Sequence, residues 1–199
     1  MSSQPPSSIE IEFAERYDRE HARVCGDTRP PGLLQRLSVW RDKRLVRHAL
    51  KVAGEPGLIL DLACGLGRFW PVLAEHVNRV ILASDNSQDI LDHARIHHPA
   101  ALLKRVKTFQ GSAFSIGLSA NAVDCIFCLE LFRHVPSSEV RLTLLREFHR
   151  VSRDTVIVSV DSRLAVEDEF REAGFKILNH QEFLPGSKLW RVYVLRKRG

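Results

Sequence analysis

Short apolar segments alternate with amphipathic segments along most of the chain. The apolar segments are brief and bounded by turn-forming residues, which predicts buried strands at GLILDLAC, VILASD, LLKRVKTFQ, AVDCIFCLEL and DTVIVSV. The amphipathic segments predict helices at RFWPVLAEHV, SQDILDHARIHH, PSSEVRLTLLREFHRV and RLAVEDEFREAG. Ser87 and either Ser137 or Ser138 are candidate N-caps, and Gly174 is expected at a left-handed helix end. Strands separated by helices require right-handed crossovers, which predicts a parallel sheet covered on both faces.

The C-terminal segments depart from this alternation. FKILNHQEF and KLWRVYVLRKR are predicted as two successive strands, with Pro185 and Gly186 between them. Because no helix separates these strands, we expect the last one to return antiparallel as a hairpin. The predicted fold class is α/β: a doubly wound, mostly parallel seven-stranded sheet with an antiparallel last strand, preceded by N-terminal helices.

The first 54 residues have a different character. The Ser/Pro/Gln tail at 1–8 has nothing to bury, which predicts disorder. Apolar residues every four positions predict a helix over 9–24, and a second helix from Leu33 to Ala53 combines an apolar stripe with many basic residues. We therefore divide the chain into a tail (1–8), an N-terminal helical segment (9–54) and the doubly wound domain (55–199).

Composition narrows the possible functions. The chain has 199 residues, 44% hydrophobic and 27% charged, which is typical of one globular domain. It has no apolar run of about 18 residues and no signal-peptide pattern, so we expect neither a membrane span nor secretion. The net charge of +5 suits phosphate or carboxylate ligands but is a mild excess for a dedicated nucleic-acid binder.

The cysteine pattern does not indicate a metal site. Cys125 and Cys128 form a CxxC sequence within a predicted strand. Residues three apart on a strand point to opposite faces, so this pair is not expected to share a metal ion. We expect no metal site, free buried thiols and a cytoplasmic protein.

The most informative segment is LILDLACGLGR, which places Gly65 and Gly67 where the first strand meets the next helix. Small residues there let a ligand approach the backbone, and open α/β sheets bind ligands at this edge. The alternative is a tight turn that binds nothing. The dinucleotide-binding motif G-x-G-x-x-G requires a third glycine at position 70, where this chain has Trp70.

Two further segments lie at the ends of the next strands. Asp85 ends VILASD, eighteen positions past Gly67, where a carboxylate can accept hydrogen bonds from the two hydroxyls of a ribose. The alternative role for Asp85 is to cap the following helix. Gly111, Ser112, Ala113 and Phe114 follow the third strand and are candidates to border an adenine ring, or else form an ordinary loop with Phe114 in the core.

Together these motifs resemble those of the class I S-adenosylmethionine-dependent methyltransferases. DLACGLG is similar to that family's strand-one motif, and Asp85 to its ribose-binding acid. VDCIFCLELFRHVP, LREFHRVSRDTVIVSV and EFREAGFKIL resemble the family's strand-four motif, the helix and strand five that follow it, and the entry to strand six. The resemblance covers roughly residues 55–197 and implies S-adenosylmethionine as cofactor and S-adenosylhomocysteine as product.

The resemblance also implies roles for individual residues. Asp61, Ala63, Cys64 and Gly65 would line the methionine part of the cofactor and Arg68 would add charge near its carboxylate. Asp85 would bind the ribose, Ser112 and Ala113 would border the adenine, and Leu129 would pass beneath the methionyl end. Gly67, Asn86 and Phe114 complete this cofactor-binding set. Ala63 and Ser112 depart from the family, which usually has Gly and frequently Asp at these positions.

Methyl transfer needs mainly proximity and orientation, with a base only for acceptors that hold their proton tightly. His134 is the first candidate base and Glu130 the second. Their alternatives are a loop histidine bonded to backbone and an acid paired with Arg133. The helical segment at 9–54 resembles a lid over the cofactor, and the candidate acceptor-binding residues are Tyr17, His21, Arg41, Arg44 and Arg133. The alternative is a helix packed on the sheet with a solvated basic side.

The leading hypothesis is a methyltransferase acting on a small molecule, anionic or sugar-containing, at an O or N atom. Methylation of RNA is the second reading within this chemistry. A non-catalytic S-adenosylmethionine-binding or assembly protein stays open because of the Ala63 and Ser112 departures. An NAD-dependent oxidoreductase is disfavoured by Trp70 and by the hairpin-like last strand. A monomer or a homodimer is expected.

Overall fold

The fold is known from a computed structural model that describes residues 33–129, 131–135, 137–161, 164–184 and 187–199. The predicted helix at 9–24, the turn at Pro185 and Gly186, and the candidate residues Tyr17, His21 and Glu130 lie outside the described residues. The strands are β1 (Leu58–Leu62), β2 (Val80–Asp85), β3 (Val106–Gln110), β4 (Val123–Cys128), β5 (Ser152–Asp161), β6 (Phe175–Leu184) and β7 (Ser187–Lys197).

The helices connect these strands in the predicted alternation. They are α1 (Leu33–Val52), α2 (Trp70–Leu73), α3 (Gln88–His97), α4 (Ala100–Leu103), α5 (Ser138–Val151) and α6 (Glu167–Glu172), with a 3₁₀ turn at Leu131–His134. Within the described residues, no helix has the length and apolar character needed to cross a membrane.

The seven strands form one sheet in the order β3-β2-β1-β4-β5-β7-β6. The strands from β3 to β5 pair in parallel, and β7 pairs antiparallel with both β5 and β6. This confirms the predicted fold class, including the antiparallel last strand. Because the chain order reverses between β1 and β4, the carboxyl ends of these two strands border the crevice where open α/β sheets bind ligands.

Apolar side chains cover both faces of the sheet. One face packs against α1, α2 and α3, and the other against α5 and α6. Cys125 belongs to the first core and Cys128 to the second, so the two side chains point to opposite faces as the strand pattern predicts. Both thiols are free.

The helix caps follow the predictions, whereas some element bounds differ. The Ser87 side chain accepts a hydrogen bond from Ile90 N, Ser137 caps α5 through Val140 N, and Gly174 has a φ of +90°. The segment LLKRVKTFQ is not one strand, because the short helix α4 includes its first residues and β3 begins only at Val106. Proline at a helix start, followed by the helix-favouring sequence AALL, explains that difference.

Candidate functional site

Asp85 joins the loops that follow three neighbouring strands. Its Oδ2 accepts a hydrogen bond from Gly65 N at 2.9 Å, and its Oδ1 accepts one from Ser87 N at 3.2 Å. The carbonyl oxygen of Asp85 accepts a hydrogen bond from Gly111 N at 2.9 Å. The carboxylate therefore points toward the turn after β1, and the loops after β1, β2 and β3 meet around it.

The turn after β1 uses left-handed backbone at three positions. The φ angles are +56° at Ala63, +53° at Gly65 and +70° at Gly67. A residue with a Cβ is disfavoured there, which gives the physical reason why glycine is usual at the position of Ala63. A Cβ at Gly67 would overlap the Trp70 ring, which is fully buried directly against the turn. Trp70 thus packs against the turn where a dinucleotide motif has its third glycine.

Asp61 is a buried carboxylic acid on β1. Burial raises its pKa to about 8, the indole N–H of Trp70 acts in the opposite direction, and the negative charge of Asp85 adds to the rise. The group therefore holds its proton at neutral pH unless a positive charge comes close. Burial also raises the pKa of the Cys64 thiol, and the acidic groups of Asp61 and Asp85 act in the same direction, so this thiol keeps its proton.

Arg68 follows the turn and connects it to α1. Its Nη2 forms an ion pair with Asp42 Oδ2, and its guanidinium lies 5.1 Å from the centroid of the Phe69 ring. Asp42 is buried, and its second oxygen, Oδ1, has no hydrogen-bond partner. Sequence reasoning missed Asp42, because nothing in a basic helix marks one acidic residue as the partner of a distant arginine.

The segment after β3 lies half-buried beside these loops. Ser112 Oγ accepts a hydrogen bond from Phe114 N at 3.1 Å, and Ala113 and Phe114 pack at the border of the core that contains α5. The Asn86 carbonyl accepts a hydrogen bond from Gln110 Nε2 at 2.8 Å. The structure thus brings all the candidate ribose and adenine residues to the carboxyl edge of the sheet, next to Asp85.

The loop after β4 carries the candidate base. Leu129 packs against the core that contains α1, and His134 is buried in the 3₁₀ turn. His134 Nε2 lies 2.8 Å from Arg133 Nε, which donates a hydrogen bond to it, whereas the Arg133 side chain is exposed. Arg133 is thus one hydrogen-bond partner of this histidine.

A buried ion pair holds this loop in place. Arg141 on α5 contacts Glu169 on α6 through Nε at 2.8 Å and Nη2 at 2.5 Å. The Nη1 of Arg141 also donates a hydrogen bond to the carbonyl of Val135, the residue after His134, at 3.0 Å. Sequence reasoning missed both residues, and the only available signal was an arginine on the apolar side of a predicted helix.

The candidate acceptor-binding residues Arg41 and Arg44 line a cavity of about 440 Å³ between α1 and β6, together with Trp40, Leu45, His48 and Gln181. Within the described residues, no group of three or more His, Cys, Asp or Glu side chains is placed to hold a metal ion. The carboxyl edge instead offers the buried carboxyl groups of Asp61 and Asp85 beside a left-handed turn. These two acidic groups fit a ligand that combines a nucleoside with a positively charged group.

Comparisons with known proteins agree with this geometry. Residues 59–155 match the family model described as a methyltransferase domain. A magnesium protoporphyrin IX methyltransferase from Synechocystis PCC 6803, crystallised with S-adenosylhomocysteine, has 16% identity and a TM-score of 0.71, with coverage of 95% of this chain and 98% of that one. An S-adenosylmethionine-dependent methyltransferase from Aquifex aeolicus has 18% identity and a TM-score of 0.65, with coverage of 92% and 98%.

The same fold also occurs in a protein named for a different reaction. The cyclase SpnF has 16% identity and a TM-score of 0.71, with coverage of 98% of this chain and 99% of that one. No curated protein sequence matches the chain. These structural likenesses establish the fold, and the fold does not by itself fix the chemistry.

Proposed function

We propose that this chain is a class I S-adenosylmethionine-dependent methyltransferase, supported by its match to the methyltransferase-domain model and by its fold, and that it methylates an O or N atom of a small molecule. The observation that carries the proposal is the cluster around Asp85. It joins the loops after β1, β2 and β3 at the carboxyl edge of the sheet, beside the buried acid Asp61.

The position of each part of the cofactor follows from the polar and apolar groups at this edge. Asp85 binds the ribose, because a carboxylate at the end of the second strand can accept hydrogen bonds from the two ribose hydroxyls. Asp61 faces the methionine part, whose positive charge stabilises the ionised carboxylate. Ser112, Ala113 and Phe114 border the adenine, and Leu129 lies under the methionyl end. Arg68 turns from Asp42 toward the cofactor carboxylate.

S-adenosylmethionine supplies, when bound, a methyl group made electrophilic by its sulfonium. The chain supplies orientation and a proton acceptor. His134 is the proposed base, and its Nε2 becomes available when the exposed Arg133 side chain moves to the acceptor. Glu130 remains the second candidate base and Tyr17 and His21 remain candidate acceptor contacts. The hydrogen bond from Arg141 to Val135 fixes the loop that carries His134.

A small acceptor is favoured over RNA by the short connections at this edge. β5 ends at Asp161 and α6 begins at Glu167, which leaves no room for an inserted substrate domain. The acceptor pocket is then formed by the loop after β4 and by the N-terminal segment, of which α1 is the described part. The free thiols of Cys64, Cys125 and Cys128 support a reducing, cytoplasmic location. We expect a monomer or a homodimer.

Two experiments test this function in order. Calorimetry with S-adenosylmethionine and S-adenosylhomocysteine asks whether the site binds the cofactor, and failure of both to bind would remove the catalytic proposal. Methyl-labelled S-adenosylmethionine is then incubated with a metabolite extract and, in parallel, with total RNA. We expect label in the small-molecule fraction, whereas label confined to RNA would reassign the acceptor. Binding without any transfer would favour the non-catalytic reading.

A further inference from the structure

Helix α1 is bordered by two grooves of nearly equal volume but different charge. The first, which we call the Trp40 groove, is the 440 Å³ cavity lined by Trp40, Arg41, Arg44, Leu45, His48 and Gln181. The second, the Glu75 groove, has a volume of about 460 Å³ and includes Arg47, Lys51, Arg79, Glu55 and Glu75. Only the second groove has carboxylates among its described lining residues.

The arginines of the Glu75 groove are neutralised by the chain itself. Arg47 Nε and Nη2 each contact a carboxylate oxygen of Glu75 at 2.7 Å. Arg79 Nη2 contacts Glu55 Oε2 at 2.5 Å. This groove therefore has little demand for an external anion.

The Trp40 groove brings Arg41, Arg44 and His48 together with no described carboxylate on its walls. The guanidinium of Arg44 lies 5.8 Å from the centroid of the Trp40 ring, and 57% of the Trp40 surface is exposed to solvent. Two guanidinium groups can bind phosphate oxygens through paired N–H donors, and the exposed indole offers a flat face for a neighbouring ring.

The Trp40 groove and the contact to the turn after β1 involve the same helix, α1. α1 ends at Val52, just before β1 begins, whereas Asp42 in its first half pairs with Arg68 beyond the carboxyl end of β1. Arg41, which lines the Trp40 groove, is the sequence neighbour of Asp42, so this end of the groove lies next to the residue that contacts the turn after β1. A molecule anchored in the groove can therefore extend a reacting atom toward the cofactor.

We propose that the Trp40 groove binds a phosphate group of the methyl acceptor, with Arg41 and Arg44 on the phosphate oxygens and Trp40 against an adjoining ring. The identification of the ligand as the methyl acceptor rests on the proposed function. Binding of the phosphate group itself does not depend on the cofactor. A volume of about 440 Å³ matches small-molecule pockets, whereas a groove that follows single-stranded RNA must span several nucleotides.

The test is a titration of the full chain with phenyl phosphate, with phenol as the matched ligand that lacks the phosphate. The readout is the side-chain N–H resonance of Trp40 in a ¹⁵N-labelled sample, assigned with Trp40→Phe. We expect phenyl phosphate, and not phenol, to shift this resonance. Arg41→Gln/Arg44→Gln should weaken binding by about tenfold or more, because charge-assisted hydrogen bonds are lost.

The matched control is Arg47→Gln/Lys51→Gln, which removes the same charge from the same helix at the Glu75 groove. It should change the affinity for phenyl phosphate by less than about twofold. No shift with phenyl phosphate, or equal weakening by both double variants, would overturn the proposal. Binding of a ten-nucleotide RNA alone, with a steep salt dependence, would overturn it in favour of an RNA surface.

S-adenosylhomocysteine affinity is measured on the same proteins to separate the two proposals. It should be the same in the wild type and in both double variants. Phosphate binding in a protein that does not bind S-adenosylhomocysteine would leave the phosphate site standing and defeat the proposed function. Binding of S-adenosylhomocysteine without binding of phenyl phosphate would leave the proposed function standing and defeat the phosphate site.

Discussion

Buried ionisable side chains have different kinds of neighbours at the carboxyl edge of the sheet and in the layer formed by α5 and α6. Between those helices, Arg141 and Glu169 neutralise each other through two hydrogen bonds. At the carboxyl edge, the carboxyl groups of Asp61 and Asp85 lie close enough for one to raise the pKa of the other. Charges that hold the fold have their partner in the chain, whereas the acids at the edge suit a partner that arrives with a ligand.

Loss of one partner of the Arg141–Glu169 pair should have the largest effect on stability. Glu169→Ala leaves the guanidinium buried without its carboxylate, and we expect a loss of about 3–5 kcal/mol in the free energy of unfolding. Urea denaturation followed by circular dichroism measures it. The exposed Glu172→Ala on the same helix is the control, because that side chain pairs with Arg146 at the surface. A loss below about 1 kcal/mol would show that the pair is not structural.

His134→Ala tests whether the edge also supplies a base. Once an acceptor is identified, we expect turnover to fall by about a hundredfold, because general-base catalysis typically contributes at least that factor. The affinity for S-adenosylhomocysteine should be unchanged. Equal turnover in the variant and the wild type would dismiss His134 as a base, and a parallel loss of cofactor affinity would make it a structural residue.

Asp85→Ala should weaken the binding of S-adenosylhomocysteine by about 1–3 kcal/mol, since a charged acceptor for the ribose hydroxyls is lost. The control is Asp92→Ala on α3, whose carboxylate is about half exposed and has surface contacts with Arg95 at 3.7 Å and with Gln88 Nε2 at 3.0 Å. Calorimetry compares the two variants. An unchanged affinity for Asp85→Ala would mean that the ribose lies elsewhere.

Asp61→Asn should shift stability in the direction opposite to Glu169→Ala. In the folded protein Asp61 holds its proton up to about pH 8, whereas the unfolded chain loses it near the ordinary value of 3.8. The wild type therefore loses stability as pH rises from about 4 to 8, and the variant escapes this loss. We expect the variant to be more stable at pH 7 by about 1 kcal/mol or more. Thermal unfolding at pH 5 and pH 7 checks it, and no gain at pH 7 would contradict the buried-acid assignment.

Much of the fold was predictable because its signals are local. The alternation of apolar and amphipathic segments gave the strands, and the missing helix near the C-terminus gave the antiparallel β7. The place of Asp85 followed as well, because the carboxyl ends of parallel strands share one edge. The departure at Ala63 was visible in the sequence, but its left-handed φ needed the structure.

The features that sequence reasoning missed depend on residues far apart in the chain. Asp42 with Arg68 and Arg141 with Glu169 join different elements, and no spacing rule predicts such partners. The Trp40 groove needs Gln181 from β6 opposite α1, which only the packed structure provides. The short helix α4 was misassigned because a brief apolar run fits a strand and a helix equally well.

The most direct test of the central claim is proton release when S-adenosylhomocysteine binds. Calorimetry at pH 7 in two buffers of different ionisation enthalpy measures it. The claim is that Asp61 gives up its proton when the ammonium group of the ligand's amino-acid part comes close, so we predict release of more than about half a proton per ligand bound, and none for Asp61→Asn. Binding without proton release, or equal release by the variant, would contradict the account.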